Sequence, residues 1–202
     1  SDSRNVGTKE FTVATGYDGA FSTVATGLVP ATKNPGTVAL NAETCFAFAV
    51  PAGAKMLRVQ LFNSETEGGS ASDLDLSVYR GATLVGSSGG GTSDELVSLS
   101  NPTAATNYEA CVEGYAPVNG SAAFTLNTWV VGPPVVPATL RAFGPSKVYT
   151  GGPASIAFSW NVPAGAPYLG LVDYATPPSP ALIRRTSNIK LKVPAPAIDN
   201  KD

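Results

Sequence analysis

The run "ASDLDLSVYRG" at residues 71–81 sets Leu74, Leu76 and Val78 against Asp73, Asp75, Ser77 and Tyr79 in strict alternation. A two-residue period fits a β-strand with one buried face and one solvated face, and no helix keeps such a pattern on one side. The same grammar recurs in "EFTVATGY", "TCFAFAV", "KMLRVQLF", "ELVSLS", "NYEACVEGY" and "AAFTLNTWVV", each run closed by Gly, Pro, Ser, Asn or Asp. No stretch sustains a helical period. Many short strands punctuated by turn residues predict an all-β, antiparallel sandwich of jelly-roll-like type. The phase of each run names its core face: Phe46, Phe48 and Val50; Leu57, Val59 and Leu61; Leu74, Leu76 and Val78; Tyr108, Ala110 and Val112; Phe124 and Leu126.

At "VVGPPVVPATL" prolines and a glycine interrupt the alternation, and proline's missing donor and fixed φ suit a stiff linker over residues 132–138. Beyond it, "SIAFSWNV" and "YLGLVDYA" predict a second, smaller β module over 139–194, followed by a flexible tail at 195–202. Ile156, Phe158 and Trp160 share one face, so Trp160 reads as a core indole. Residues 1–40 are expected to form a connector or edge segment packing along a sandwich at 41–131.

Composition excludes several functions. With no histidine in 202 residues, neither a Ser-His-Asp site nor a histidine-ligated zinc or haem can be built from this chain alone. The chain is therefore expected not to be an enzyme. A charged fraction of 14% and a net charge of −2 leave no basic stripe for nucleic acid. No apolar run approaches the ~20 residues of a membrane span, and "SDSRNVGTKEF" lacks the layout of a signal peptide. The abundance of Gly, Ser, Thr, Ala and Pro fits a secreted protein, and the chain reads as a piece of something longer.

Cys45 and Cys111 both fall on strands, in phase opposite to the core residues, and Cys111 shares its face with Glu109 and Glu113. Stacked sheets lie about 10 Å apart, beyond the reach of a disulfide, so a bridge would join neighbouring strands of one sheet. The alternative is two unpaired thiols in a reducing compartment; the secreted-type composition favours the bridge.

The segments "FAFAVPAGAKMLRVQLF", "SDLDLSVYRGATLVGSS" and "DELVSLSNPTAATNYEACVEGY" resemble the bacterial pre-peptidase C-terminal domain, a β-sandwich that follows the catalytic domains of secreted proteases. "GYDGAFSTVATGLVPA" looks like the connector that precedes this sandwich in large subtilisin-like serine proteases. "ASIAFSWNVPAGAPYLGLVDYA" resembles the immunoglobulin- or fibronectin-like module that follows it. The resemblance implies the non-catalytic C-terminal region of a secreted subtilisin-like endopeptidase. Its partners would be the upstream catalytic domain and a protein substrate, and its role to stabilise or position the protease. A free-standing carbohydrate-binding or adhesin-like module is the rival, and a clustered aromatic strip would favour it.

Site candidates are few. Glu65, Glu67, Asp73 and Asp75 lie in or beside the loop "NSETEGGSASDLD", and calcium takes six to eight oxygen ligands of this kind; solvated charges bonded to loop amides are the favoured alternative. No other cofactor is implied. Tyr79 and Tyr115 project from outer faces, where aromatics stack on sugars or pack against polypeptide. Trp129, beside the proline stretch and opposite in phase to Phe124 and Leu126, reads as a seam between the two modules.

Overall fold

The computed structural model describes residues 4–133, 138–176 and 182–192. Two compact units emerge: Ala31–Gly132 forms one, while Ser1–Pro30 and Pro133–Asp202 together form the other.

The contiguous unit holds eight strands. Their bounds are β4 (Thr32–Ala39), β5 (Glu43–Val50), β6 (Met56–Gln60), β7 (Asp73–Arg80), β8 (Thr83–Ser88), β9 (Leu96–Ser100), β10 (Ala105–Ala116) and β11 (Ser121–Val131). They make two four-stranded antiparallel sheets in the orders β5-β10-β7-β8 and β4-β11-β6-β9. That alternation of consecutive strands between sheets is the jelly-roll arrangement of a β-sandwich. Leu57, Val59, Leu61, Leu74, Leu76, Val78, Tyr108, Ala110, Val112, Phe124 and Leu126 fill one buried cluster, with Phe46 and Phe48 partly buried against it. Every core residue read from the strand phases of this unit therefore faces inward. Pro35 sits on β4, which is an edge strand, where its missing N–H breaks no interior ladder.

One close approach fixes the end of the central strand β10. The chain leaving β4 crosses Gly114: Leu40 bridges it, and the Asn41 N–H donates to its carbonyl at 2.9 Å. A Cβ at this position would lie 2.2 Å from the Ala39 carbonyl oxygen, so only glycine fits without moving backbone.

The other unit draws on both ends of the chain. Its strands are β1 (Arg4–Ala14), β2 (Gly19–Ala20), β3 (Ser22–Pro30), β12 (Leu140–Phe143), β13 (Lys147–Val148), β14 (Pro153–Pro163), β15 (Pro167–Thr176) and β16 (Leu182–Lys192). β1 pairs along its whole length with β14, from Arg4 opposite Pro163 to Ala14 opposite Pro153. β3 and β16 flank β15, β12 takes the other side of β14, and β2 pairs with β13. Its core gathers Leu28, Leu140, Ile156, Phe158, Val162, Tyr168 and Val172, with Phe11, Val13 and Trp160 packed against it. The Trp160 indole donates to Asn5 Oδ1 at 2.6 Å. It also closes on Gly7, where a Cβ would meet the ring at 2.3 Å.

Two expectations are corrected here. Residues 1–40 are not an edge segment on the sandwich: β1–β3 belong to the second unit, and only β4 joins the sandwich. The module expected over 139–194 is incomplete without them, because Phe11 packs on Phe158 with ring centroids 5.0 Å apart and β1 is the ladder partner of β14. Local periodicity marks β1 as a strand but carries no information about a partner some 150 positions away. The chain passes from one unit to the other at Pro30–Ala31 and again at Gly132–Pro133. Residues 134–137 of the expected linker and the tail at 195–202 lie outside the described residues. Among the described residues no helix is long and apolar enough to cross a membrane.

Candidate functional site

The outer face of the β5-β10-β7-β8 sheet carries the densest chemistry of the contiguous unit. Strand register arranges it in rows. Glu113 of β10 lies opposite Glu43 on one side and Asp75 on the other. In the next row Cys111 faces Cys45 and Ser77. In the row after that Glu109 faces Ala47 and Tyr79, and Tyr79 faces Leu84. These side chains share the face because each strand alternates and its inward partners, such as Ala110, Val112, Leu76 and Val78, are taken by the core.

The two cysteines form a disulfide across directly opposed positions, with Cα atoms 4.0 Å apart. Cys45 on the edge strand is exposed, whereas Cys111 in the middle of the sheet is buried. The bridge joins neighbouring strands of one sheet, as the strand phases require.

Row one is electrostatically unfavourable, since like charges directly opposite on adjacent strands destabilise a sheet. Burial of the Asp75 carboxyl, then Asp73, Glu95 and Glu113, hold its pKa above the usual aspartate range. The buried Oδ1 atoms of Asp73 and Asp75 accept no hydrogen bond. Glu95 is itself buried and belongs to the loop between β8 and β9: it accepts from Gly90 N–H at 2.6 Å and from the Ser88 hydroxyl. Those two bonds order the glycine-rich turn "SSGGGTSDE" that the sequence marks only as a loop.

The four carboxylates read as calcium ligands do not assemble. Glu65 pairs with Lys33 at 2.8 Å and accepts from Asn127 Nδ2 at 2.6 Å. Glu67 accepts from the Ala123 amide at 3.0 Å. These partners stand on β4 and β11, so Glu65 and Glu67 serve one sheet, whereas Asp73 and Asp75 stand on the other. Among the described residues the one group of three or more acidic or cysteine side chains with ligand atoms within 4.8 Å of one another is Glu43, Cys45 and Cys111, whose sulfurs are already bonded together. Alternating strands in a sandwich send loop and strand carboxylates to different sheets, which spacing in "NSETEGGSASDLD" does not disclose.

Tyr115 is 62% exposed and Tyr79 half-buried. Both face outward as read, but Tyr79 lies in the row of Glu109 and Tyr115 six residues further along β10, about 20 Å away at ~3.4 Å per residue. They make no contiguous stacking strip. Trp129 is buried on the face of β11 opposite Phe124 and Leu126, opposite Arg58 in the ladder. Burial lowers the pKa of Arg58, which donates to Ser98 Oγ at 2.9 Å. Glu43, Glu109 and Glu113 are the face residues not singled out by sequence reasoning. Their signal was present, since each shares the phase of a cysteine two positions away.

Residues 42–114 match the model of the bacterial pre-peptidase C-terminal domain. The match spans β5 to β10 and includes Gly114, so the sheet bearing the carboxylate rows lies within it. A search of the curated proteins finds no match. Among solved structures, this chain is similar to the M60 catalytic domain with the CBM51-1 and CBM51-2 domains from Clostridium perfringens ZmpB, at 12% identity and a TM-score of 0.30. That similarity covers 89% of this chain and 22% of the other, so the chain spans about a fifth of that structure.

Proposed function

We propose that this chain is a non-catalytic accessory region of an extracellular subtilisin-like serine endopeptidase, which it stabilises or positions and for which it engages polypeptide substrate. The observation that carries this reading is the pre-peptidase C-terminal match over 42–114, laid on a complete eight-stranded sandwich in a chain without histidine. No serine or cysteine here has an imidazole base to activate it, and both cysteines are committed to a disulfide. A sandwich of this kind contributes to proteolysis by binding, through faces that stay outside its core. The second unit, with its immunoglobulin- or fibronectin-like resemblance, is a further non-catalytic module of the same protease.

The test is a capture and cleavage assay on the full chain with casein and gelatin. Retention on the immobilised proteins without cleavage supports the reading. Cleavage that persists with inhibitors of contaminating proteases overturns it, as does an open reading frame around this segment that encodes no protease catalytic domain.

A further inference from the structure

We propose that the outer face of the β5-β10-β7-β8 sheet is a docking surface for an extended, lysine- or arginine-bearing polypeptide. This deepens the reading of the chain as a polypeptide-engaging accessory region and rests on it.

The outward positions of β5, β7 and β10 carry Glu43, Glu109, Glu113, Asp73 and Asp75 and not one lysine or arginine. None of the five forms an ion pair, although the chain holds 13 basic residues against 15 acidic ones. The face is thus a local excess of negative charge in a nearly neutral molecule, of the sort that draws a positive partner by complementarity. Glu43, Glu109 and Glu113 are exposed, so a ligand reaches them without rearrangement of the strands.

The spread of the charges selects among cationic partners. A single metal ion needs several oxygens converging within a few ångströms, and no three of these carboxylates do so. Glu109 and Glu113 instead stand four residues apart on one strand, about 13 Å at ~3.4 Å per residue. An extended chain places alternate side chains on one side at about 7 Å intervals, so basic residues two or four positions apart meet that spacing. Tyr115 and Tyr79 flank the carboxylates, where a cation over a phenol ring gains further attraction.

The experiment is fluorescence anisotropy of the full chain with a labelled ten-residue peptide alternating Lys and Gly, compared with its Glu and Gly counterpart. Three proteins are measured: the parent, a face variant (Glu43→Gln, Glu109→Gln, Glu113→Gln) and a control variant (Glu10→Gln, Glu67→Gln, Asp94→Asn) that removes the same charge elsewhere. Melting curves verify that all three are folded. The expected result is binding of the Lys peptide alone, weakened at least tenfold in the face variant and less than twofold in the control, and falling steeply with added salt. Equal losses in both variants, or no binding by the parent, overturn the proposal. Displacement of the peptide by calcium or spermine at equal concentration overturns it in favour of a small cation. Casein and gelatin capture by the face variant at parental strength would remove this face from the function while leaving the accessory role standing.

Discussion

The two units of this protein solve the same packing problem with different chain economies. The sandwich of Ala31–Gly132 closes on itself from one continuous segment and is tied by Cys45–Cys111 across 66 residues of sequence. The second unit joins strands from opposite ends of the chain, and its longest ladder pairs residues 4–14 with 153–163. Both bury aromatic and branched side chains at alternate positions. What differs is where the partner of each strand is found. One unit is a property of a segment; the other is a property of the whole chain.

The sharpest way to break that comparison is to delete residues 1–14. Loss of β1 uncovers one side of β14 and strips Phe11 from Phe158. The expected outcome is complete loss of the second unit's cooperative unfolding, with the sandwich transition retained, as read by calorimetry. Retention of both transitions would show that β14 does not depend on its distant partner.

The disulfide is expected to have the next largest effect, confined to the other unit. Loop-closure entropy for a bridge of this span amounts to about 4 kcal/mol, and measured losses run at about 2–4 kcal/mol. Cys45→Ala with Cys111→Ala should lower the sandwich transition and leave the other unmoved. Thiol titration of the denatured, unreduced parent should find no free thiol.

Gly114→Ala sharpens the comparison within one unit. The added methyl group meets the Ala39 carbonyl, and the expected cost is about 1–3 kcal/mol, the range for overpacking. An alanine placed at Gly91, which has open space around it, is the control. A denaturant midpoint equal for both variants would refute the role given to this crossing.

The smallest expected effect is on pH dependence. Asp75 has its folded pKa raised above an unfolded value of about 3.9, so the folded state holds the proton more tightly. The stability linked to this group is fully present below pH ~3.9 and is lost as pH rises through the folded pKa. Relative to Asp75→Asn, the parent should gain melting temperature on acidification from pH 7 to pH 4. An unchanged difference between the two proteins would leave the carboxylate row without energetic consequence.

The contrast between the units also explains what could be read from sequence. Leu76, Val112 and Leu126 declare their burial through local alternation, and the disulfide follows from the shared phase of Cys45 and Cys111. Strand phase likewise puts Glu109 and Glu113 on the outer face. It does not reveal that Glu43 and Asp75 stand beside Glu113, since that depends on which strands are neighbours. The same limit separates Glu65 and Glu67 from Asp73 and Asp75, and hides the place of β1. Phase is written in each segment; adjacency is set by long-range closure.

The interruption of the second unit by the sandwich bears on the order in which the molecule is made. A ribosome delivering roughly 5–20 residues per second releases β1 about 10 s before all of β14 has been synthesised. During that interval the sandwich can complete its own core, while β1 and β3 hold unpaired edges and exposed Phe11, Val13 and Leu28. A chaperone or export factor that grips extended apolar strands would therefore find its handle at the amino-terminal end, and release of that end would await the last third of the chain. Circular permutation that brings β1 next to β14 in sequence would remove the delay without altering a single contact within either core.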